Sequence, residues 1–180
     1  VETQLVDLTD HIRFLEGRAE DAEGRNRRSN LRIVVLPEGE GEVGSDPLVF
    51  LENWIKFFMP LDTLAPFFAL ERAHRVPSRR PPQSAPPWPL LAKLLHFQDR
   101  DAILHELRMR GCTTINNSKV RLFSVYTASV QKQRASFTGV KSKLRELELK
   151  YALLFPARLR ITASGKSYFF EQPQDAWDWT

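Results

Sequence analysis

The chain has 180 residues, 42% of them hydrophobic and 27% charged, with a formal net charge of +4. That length suits one or two small domains with modest cores, and the mild basicity is compatible with a nucleic-acid partner without demanding one. A single cysteine, Cys112, excludes an internal disulfide and a thiolate metal site and fits a reducing compartment, while no apolar run approaches the roughly 20 residues of a membrane span.

With no initiator methionine and no signal-peptide pattern, the chain is expected to be a segment of something longer. Its first segment, residues 1–28, has a regular apolar rhythm: Val1, Leu5, Leu8, Ile12, Leu15, Ala19 and Ala22 recur at alternating spacings of four and three. Leu5, Ile12 and Ala19 occupy a positions of a heptad and Leu8, Leu15 and Ala22 its d positions. A stripe this narrow suits a coiled-coil seam better than one amphipathic helix packed on its own domain. The seam is too short to be stable alone, so it is expected to end a longer coil. Arg18-Ala19-x-x-Ala22-Glu23 has the spacing associated with three-stranded coils.

Residues 29–124 change period. Leu31 to Leu36 reads as a strand, ended by Pro37 and the acidic run Glu38-Gly39-Glu40-Gly41-Glu42. By alternation Leu31, Ile33 and Val35 share its buried face, and Arg32 and Val34 face the other way. Ser45 or Asp46 can cap a helix with Pro47 in its first turn, whose apolar face is Leu48, Leu51, Ile55 and Phe58, with Trp54 beside it. Leu70 to Val76 is a second strand, and Pro77 to Pro89, with six prolines, an extended loop. Leu90 to Phe97 is a third strand; Asp99 opens a helix with Ala102, Ile103, Leu107 and Met109 inward, stopped at Gly111. Val120 to Phe123 closes a β-α-β-β-α-β order, that of a ferredoxin-like domain and of the RNA-recognition module.

Residues 125–180 read as a small α-β-β-α domain. One helix spans 128–149, with Val130, Phe137, Val140, Leu144 and Leu147 in its core face and Gly139 as a mild weakness. Tyr151 to Phe155 leads into Pro156, then Ala157–Ala163 and Lys166–Phe170 pair across a Ser164-Gly165 turn, and Pro173 to Trp179 closes the domain as a short helix. The fold class is therefore α+β: a coiled-coil helix, a ferredoxin-like domain and a small C-terminal domain.

The chain has no G-x-x-x-x-G-K-S/T phosphate loop. His11, His74, His96 and His105 are scattered, so no metal is expected, and Glu38, Glu40 and Glu42 read as solvating rather than as paired catalytic carboxylates. No enzyme and no cofactor are expected.

An RNA-recognition module displays stacking aromatics on its central strands. In Leu90–Phe97 only Phe97 meets that pattern; the other aromatic places fall on Ala92 and Leu94, and that of the first strand on Arg32. Charge stands in their place: Arg27, Arg28 and Arg32, then Arg72, Arg75, Arg79 and Arg80, then Lys93, Arg108, Arg110, Lys119 and Arg121. Such a set grips phosphates without reading bases, with an affinity that falls steeply with salt. The alternative is a solvated face with weak ion pairs, Arg108 and Arg110 merely opposing a helix dipole. The stretch from Arg72 to Arg80, four arginines without an acid, argues against it.

The ordered motifs RRSNLRIVVLPEGEGE, LERAHRVPSRRPP, PLLAKLLHFQDRDAILHELRMRG, KVRLFSVYTASVQKQRASF and LLFPARLRITASGKSYFF resemble the first-open-reading-frame RNA-binding protein of long interspersed (LINE) retrotransposons, the transposase 22 family. The resemblance runs from about Arg27 to the C-terminal end, with the heptads in the expected upstream place. It implies a trimeric coiled coil, an RNA-recognition domain without the usual aromatics and a small C-terminal domain, with single-stranded RNA clamped in the cleft between the last two. It also implies a nucleic-acid chaperone that coats its own transcript in cytoplasmic ribonucleoprotein particles, with the nucleus as a second location. Matching motifs carry RNA contact to Arg27, Arg28, Arg75, Arg79, Arg80, Arg110, Arg134 (in QKQR) and Arg158 (in FPARL). Phe155 stands where some members have tyrosine, which keeps a stacking surface and drops a hydroxyl. The expected partners are single-stranded RNA, with single-stranded DNA as second candidate, and further copies of the chain; no membrane is expected. The competing reading is a coiled-coil scaffold or host-derived interaction protein whose recognition-like domain binds protein.

Overall fold

The computed structural model describes residues 2–37, 46–60, 62–76, 82, 84–111, 113–115 and 117–180. The architecture is α+β, with a long N-terminal helix and two antiparallel sheets, in two compact units, Val1–Val125 and Tyr126–Thr180. Cys112, Ser45, the run from Glu38 to Glu42 and the segment that holds Arg79 and Arg80 lie outside the described residues.

Helix α1 (Glu2–Arg27) forms over the heptads. A helix packed on its own domain would bury its apolar stripe, but Leu5, Leu8, Ile12 and Leu15 are 48–60% exposed, and Ala19 and Ala22 are exposed too. Among the described residues the stripe therefore has no cover within its own unit.

Strand β1 (Asn30–Val34) is central to the first sheet, followed by helix α2 (Pro47–Phe58), strands β2 (Leu70–Arg75) and β3 (Leu90–Leu94), helix α3 (Phe97–Arg110), and strands β4 (Thr113–Ile115) and β5 (Ser118–Ser124). The sheet order is β2-β3-β1-β5-β4, every pair antiparallel. Leu31, Ile33, Leu90, Ala92, Leu94 and Val120 bury one sheet face against Leu51 and Ile55 of α2 and Ile103 and Leu104 of α3. Truncating one of these leucines or isoleucines to alanine would cost about 2–5 kcal/mol. The Asp46 carboxylate caps α2 by accepting the Leu48 N–H at 3.0 Å, with Pro47 in the first turn. Glu52 of α2 accepts the Leu70 N–H at 2.7 Å, tying that helix to β2.

Four expectations change here. The alternation of β1 stops at Val34: Val35 takes a positive φ of 65°, so it is exposed and Leu36 becomes the buried residue. The third strand ends at Leu94, and Phe97 opens α3 instead. Asp99 is therefore not the helix opener but a buried residue in its first turn, where its carboxylate accepts the Ala65 N–H at 2.8 Å. Met109 is 74% exposed, and Leu104 takes the inward place instead. Gly111 stops the helix at φ 80°, and its N–H donates to the Leu107 carbonyl. Strand β4 is an addition to the expected order, paired with β5 through a tight turn in which Asn117 has φ 66°.

The second unit runs α4 (Ala128–Ser136), α5 (Thr138–Glu146), β6 (Lys150–Leu154), β7 (Arg158–Ala163), β8 (Lys166–Phe170) and α6 (Pro173–Trp179). The single helix expected over 128–149 is two, parted at Phe137, whose backbone (φ −82°, ψ 3°) leaves the helical region while its ring fills the core beside Val140, Leu144, Leu159, Ile161 and Ala176. Leu147 lies beyond the end of α5 and is exposed; Val130 is only half-buried. Tyr151–Leu154 is a paired strand rather than a connector, so the sheet has three strands in the order β6-β7-β8. Ser164 (φ 51°) and Gly165 (φ 76°) make the two-residue hairpin turn.

Candidate nucleic-acid interface

Alternation places Arg32, Lys93, Lys119, Arg121 and Phe123 on the face of the first sheet opposite the buried leucines, and Arg72 and His74 extend it on β2. The register sets them in rows. His74 lies beside Leu91, Leu91 beside Arg32, and Arg32 beside Phe123; Arg72 lies beside Lys93, and Arg121 beside Val34. The first row crosses four strands, about 14 Å at the usual strand spacing. Glu71 pairs with Lys93 at 2.8 Å. Among the described residues no carboxylate pairs with Arg32, Arg72, Lys119 or Arg121. Fixed cations without internal counterions hold a positive potential over a solvated sheet face.

At the junction of helix and domain, Arg27 pairs with Glu23 at 2.6 Å, and the Arg28 guanidinium lies 3.5 Å from the centroid of the Phe97 ring. Arg110 pairs with Glu106 one turn earlier on α3 at 2.5 Å.

In the second unit Arg134 reaches from α4 to the turn between β6 and β7. Its Nη1 donates to the carbonyls of Leu154 (3.0 Å) and Pro156 (2.9 Å), and its Nη2 to that of Leu153 (3.0 Å). The same guanidinium lies 4.5 Å from the Tyr126 ring, which stacks at 6.2 Å and 24° with Phe155, itself 70% exposed. The clamp thus presents an aromatic face to solvent. Arg158 lies 4.6 Å over the Phe169 ring, with Glu171 only at 3.9 Å. Burial, then Arg134, then Arg145 hold the Lys141 ammonium below the ordinary lysine pKa.

No protein-family model matches the chain. It is 26% identical over 177 residues to the LINE-1 retrotransposable element ORF1 protein of Mus musculus, covering 94% of this chain and 48% of that protein. It is also 26% identical over 153 residues to the LINE-1 type transposase domain-containing protein 1 of Mus musculus, covering 85% of this chain and 19% of that one. The chain is thus similar over most of its length to proteins of LINE-1 elements, the first of them an ORF1 protein. It spans about half the length of the first relative and about a fifth of the second.

Of the residues that sequence marked, the fold gathers Arg32, Arg72, Lys93 and Arg121 on one sheet face, and Arg134 and Phe155 at one turn of the second unit. Arg75 is the correction. It is buried, and its guanidinium donates to the carbonyls of Leu36 (2.9 Å), Trp88 (2.7 Å) and Pro37 (2.8 Å), so it is spent inside the fold. Phe97 is likewise turned to Arg28 at the head of α3 rather than placed on a strand. Sequence reasoning missed Phe123, the aromatic that does stand on the open face, though the alternation Lys119, Arg121, Phe123 against Val120 and Leu122 carries it. It also missed Tyr126, which only the fold brings to Phe155. Among the described residues no group of His, Cys, Asp and Glu could hold a metal ion, and no helix is long and apolar enough to cross a membrane.

Proposed function

We propose that this chain is a sequence-tolerant single-stranded RNA-binding protein and nucleic-acid chaperone that coats retrotransposon RNA as a coiled-coil oligomer, with no enzymatic role of its own. The observation that carries this reading is the open, cationic face of the first sheet, where Arg32, Arg72, Lys119 and Arg121 have no carboxylate partner among the described residues. The order β1-α2-β2-β3-α3-β5 and the neighbours β2-β3-β1-β5 support an RNA-recognition domain with β4 added at its edge. The exposed stripe of α1 supports self-association, three-stranded by preference, which would join several weak cationic faces into one avid particle. Few stacking groups and many cations suit a protein that binds any transcript, RNA in the first place and single-stranded DNA in the second. Cytoplasmic ribonucleoprotein particles are the setting that follows from this role.

The test is filter binding of a labelled single-stranded RNA across a salt series, parent chain against an Arg32→Ala/Arg121→Ala double variant. The parent is expected to lose affinity steeply with salt, and the variant to bind less tightly with a shallower slope. A flat salt response, or an unchanged double variant, overturns the reading.

A further inference from the structure

The second sheet has an uncovered face of its own. In β7 Leu159 and Ile161 are buried in the core with Phe170, so Arg158 and Arg160 turn the other way. The register places Phe169 directly opposite Arg160 and Lys150 opposite Thr162, all on that outer side. Phe169 lies mid-sequence in a strand yet is 46% exposed, while Tyr168 turns inward to Trp179 at 5.0 Å. Arg158 lies over the Phe169 ring at 4.6 Å, and Glu171 approaches that arginine only at 3.9 Å while staying exposed.

We propose that this outer face is a base-stacking platform for a single-stranded nucleic acid, with Phe169 as its stacking ring and Arg158, Arg160 and Lys150 as its phosphate contacts. The proposal rests on the RNA-binding reading above and adds a site to it. An aromatic ring with one guanidinium over it and a second arginine opposite it in register takes a base by stacking while the cations follow the backbone. An acidic peptide would satisfy the cations and leave the ring unused. Arg158 begins its strand directly after the turn that carries Phe155. A strand held at Phe155 therefore has a second ring to reach along β7. Phe169 is not among the residues of the second core, so its replacement is expected to leave that core intact.

The experiment uses the full chain with three variants, Phe169→Leu, Phe169→Ala and Phe169→Trp. Each is titrated with a uridine-rich single-stranded RNA, with a base-free ribose-phosphate strand of equal length and with polyglutamate. Phe169→Leu and Phe169→Ala are expected to bind RNA about ten-fold more weakly, with the same salt slope and unchanged affinity for the base-free strand. Phe169→Trp is expected to restore binding and to show quenched indole fluorescence on RNA addition. A leucine variant that binds RNA like the parent overturns the platform, as does an equal loss toward both strands, or polyglutamate bound as tightly as RNA. A parent chain that binds no RNA overturns the RNA-binding reading itself, so the two failures are told apart.

Discussion

Replacing Arg75 by alanine separates two roles that arginine plays in this fold. Its guanidinium holds the carbonyls of Leu36, Pro37 and Trp88 at 2.7–2.9 Å from a buried position. Hydrogen bonds from a charged donor contribute about 1.5–3 kcal/mol each, and a buried acceptor left alone costs about 1–3 kcal/mol. Pro37 and Trp88 are half-buried and can regain water, whereas Leu36 is fully buried, so the sum falls to about 3–5 kcal/mol. For a unit of this size that lowers the melting temperature by about 10–20 °C, which circular dichroism of the full chain reads directly. Arg75→Met keeps the apolar stem and is expected to lose nearly as much, because the loss lies in the donors. RNA affinity of the folded fraction is expected to stay within about two-fold of the parent, since the site is not on the open face. An unchanged melting temperature together with a ten-fold loss of RNA affinity would refute the reasoning and return Arg75 to the binding surface.

On the open face, Arg121→Ala is expected to leave stability within about 0.5 kcal/mol and to reduce the salt slope of RNA binding by about 0.7, read by filter binding; a melting shift of several degrees would give Arg121 a structural role instead. Leu8→Asp with Leu15→Asp places charges in the exposed stripe of α1 and is expected to abolish the proposed self-association, lowering the sedimentation coefficient without changing the melting of either unit; an unaltered sedimentation coefficient rules out that stripe as the seam. The lowered pKa of Lys141 means that its protonated form is disfavoured in the folded state. That penalty is complete below the folded pKa and is relieved as pH rises through it toward the ordinary lysine value. Lys141→Gln is therefore expected to melt higher than the parent at pH 7, with the gap closing at alkaline pH; a gap that widens with pH reverses the sign of the coupling.

The α+β class and most elements could be read from periodicity, because the apolar positions of β1, β3, α2 and β5 alternate or repeat without interruption. What periodicity did not carry was decided by single backbone choices. Val35 leaves the extended region and exchanges its place with Leu36; Phe137 breaks a helix whose residues all favour or tolerate helix, because its ring is needed in the core. Gly139, a weakness when read as helix propensity, is where a Cβ would come within 3.1 Å of the Trp177 ring. The short strand β4 had a usable signal in its asparagine turn, but three residues are too few for alternation to show. At the candidate site the residue types were visible and their partners were not. Nothing in LERAHR says which arginine turns inward; the bulge between Leu70 and Arg72 sets that register.

Counting cations along this sequence therefore overstates the surface available to a phosphate backbone. Arg75 and Arg134 each serve three backbone carbonyls, a task suited to the planar fork of a guanidinium and not to the single point charge of lysine. These arginines are still not neutral bystanders. Arg75 pins the chain just after β1 and just before β3, the two strands that carry Arg32 and Lys93. Arg134 pins the turn that holds Phe155 out to solvent. One set of arginines thus orders the frame while another, without a carboxylate partner among the described residues of the open sheet, supplies the charge. Two consequences follow for mutagenesis. A loss of RNA binding in an arginine variant assigns a contact only when the melting temperature is unchanged. The salt slope should also count Arg32, Arg72, Lys119 and Arg121 but not Arg75, so it stays shallower than the net inventory of basic residues suggests.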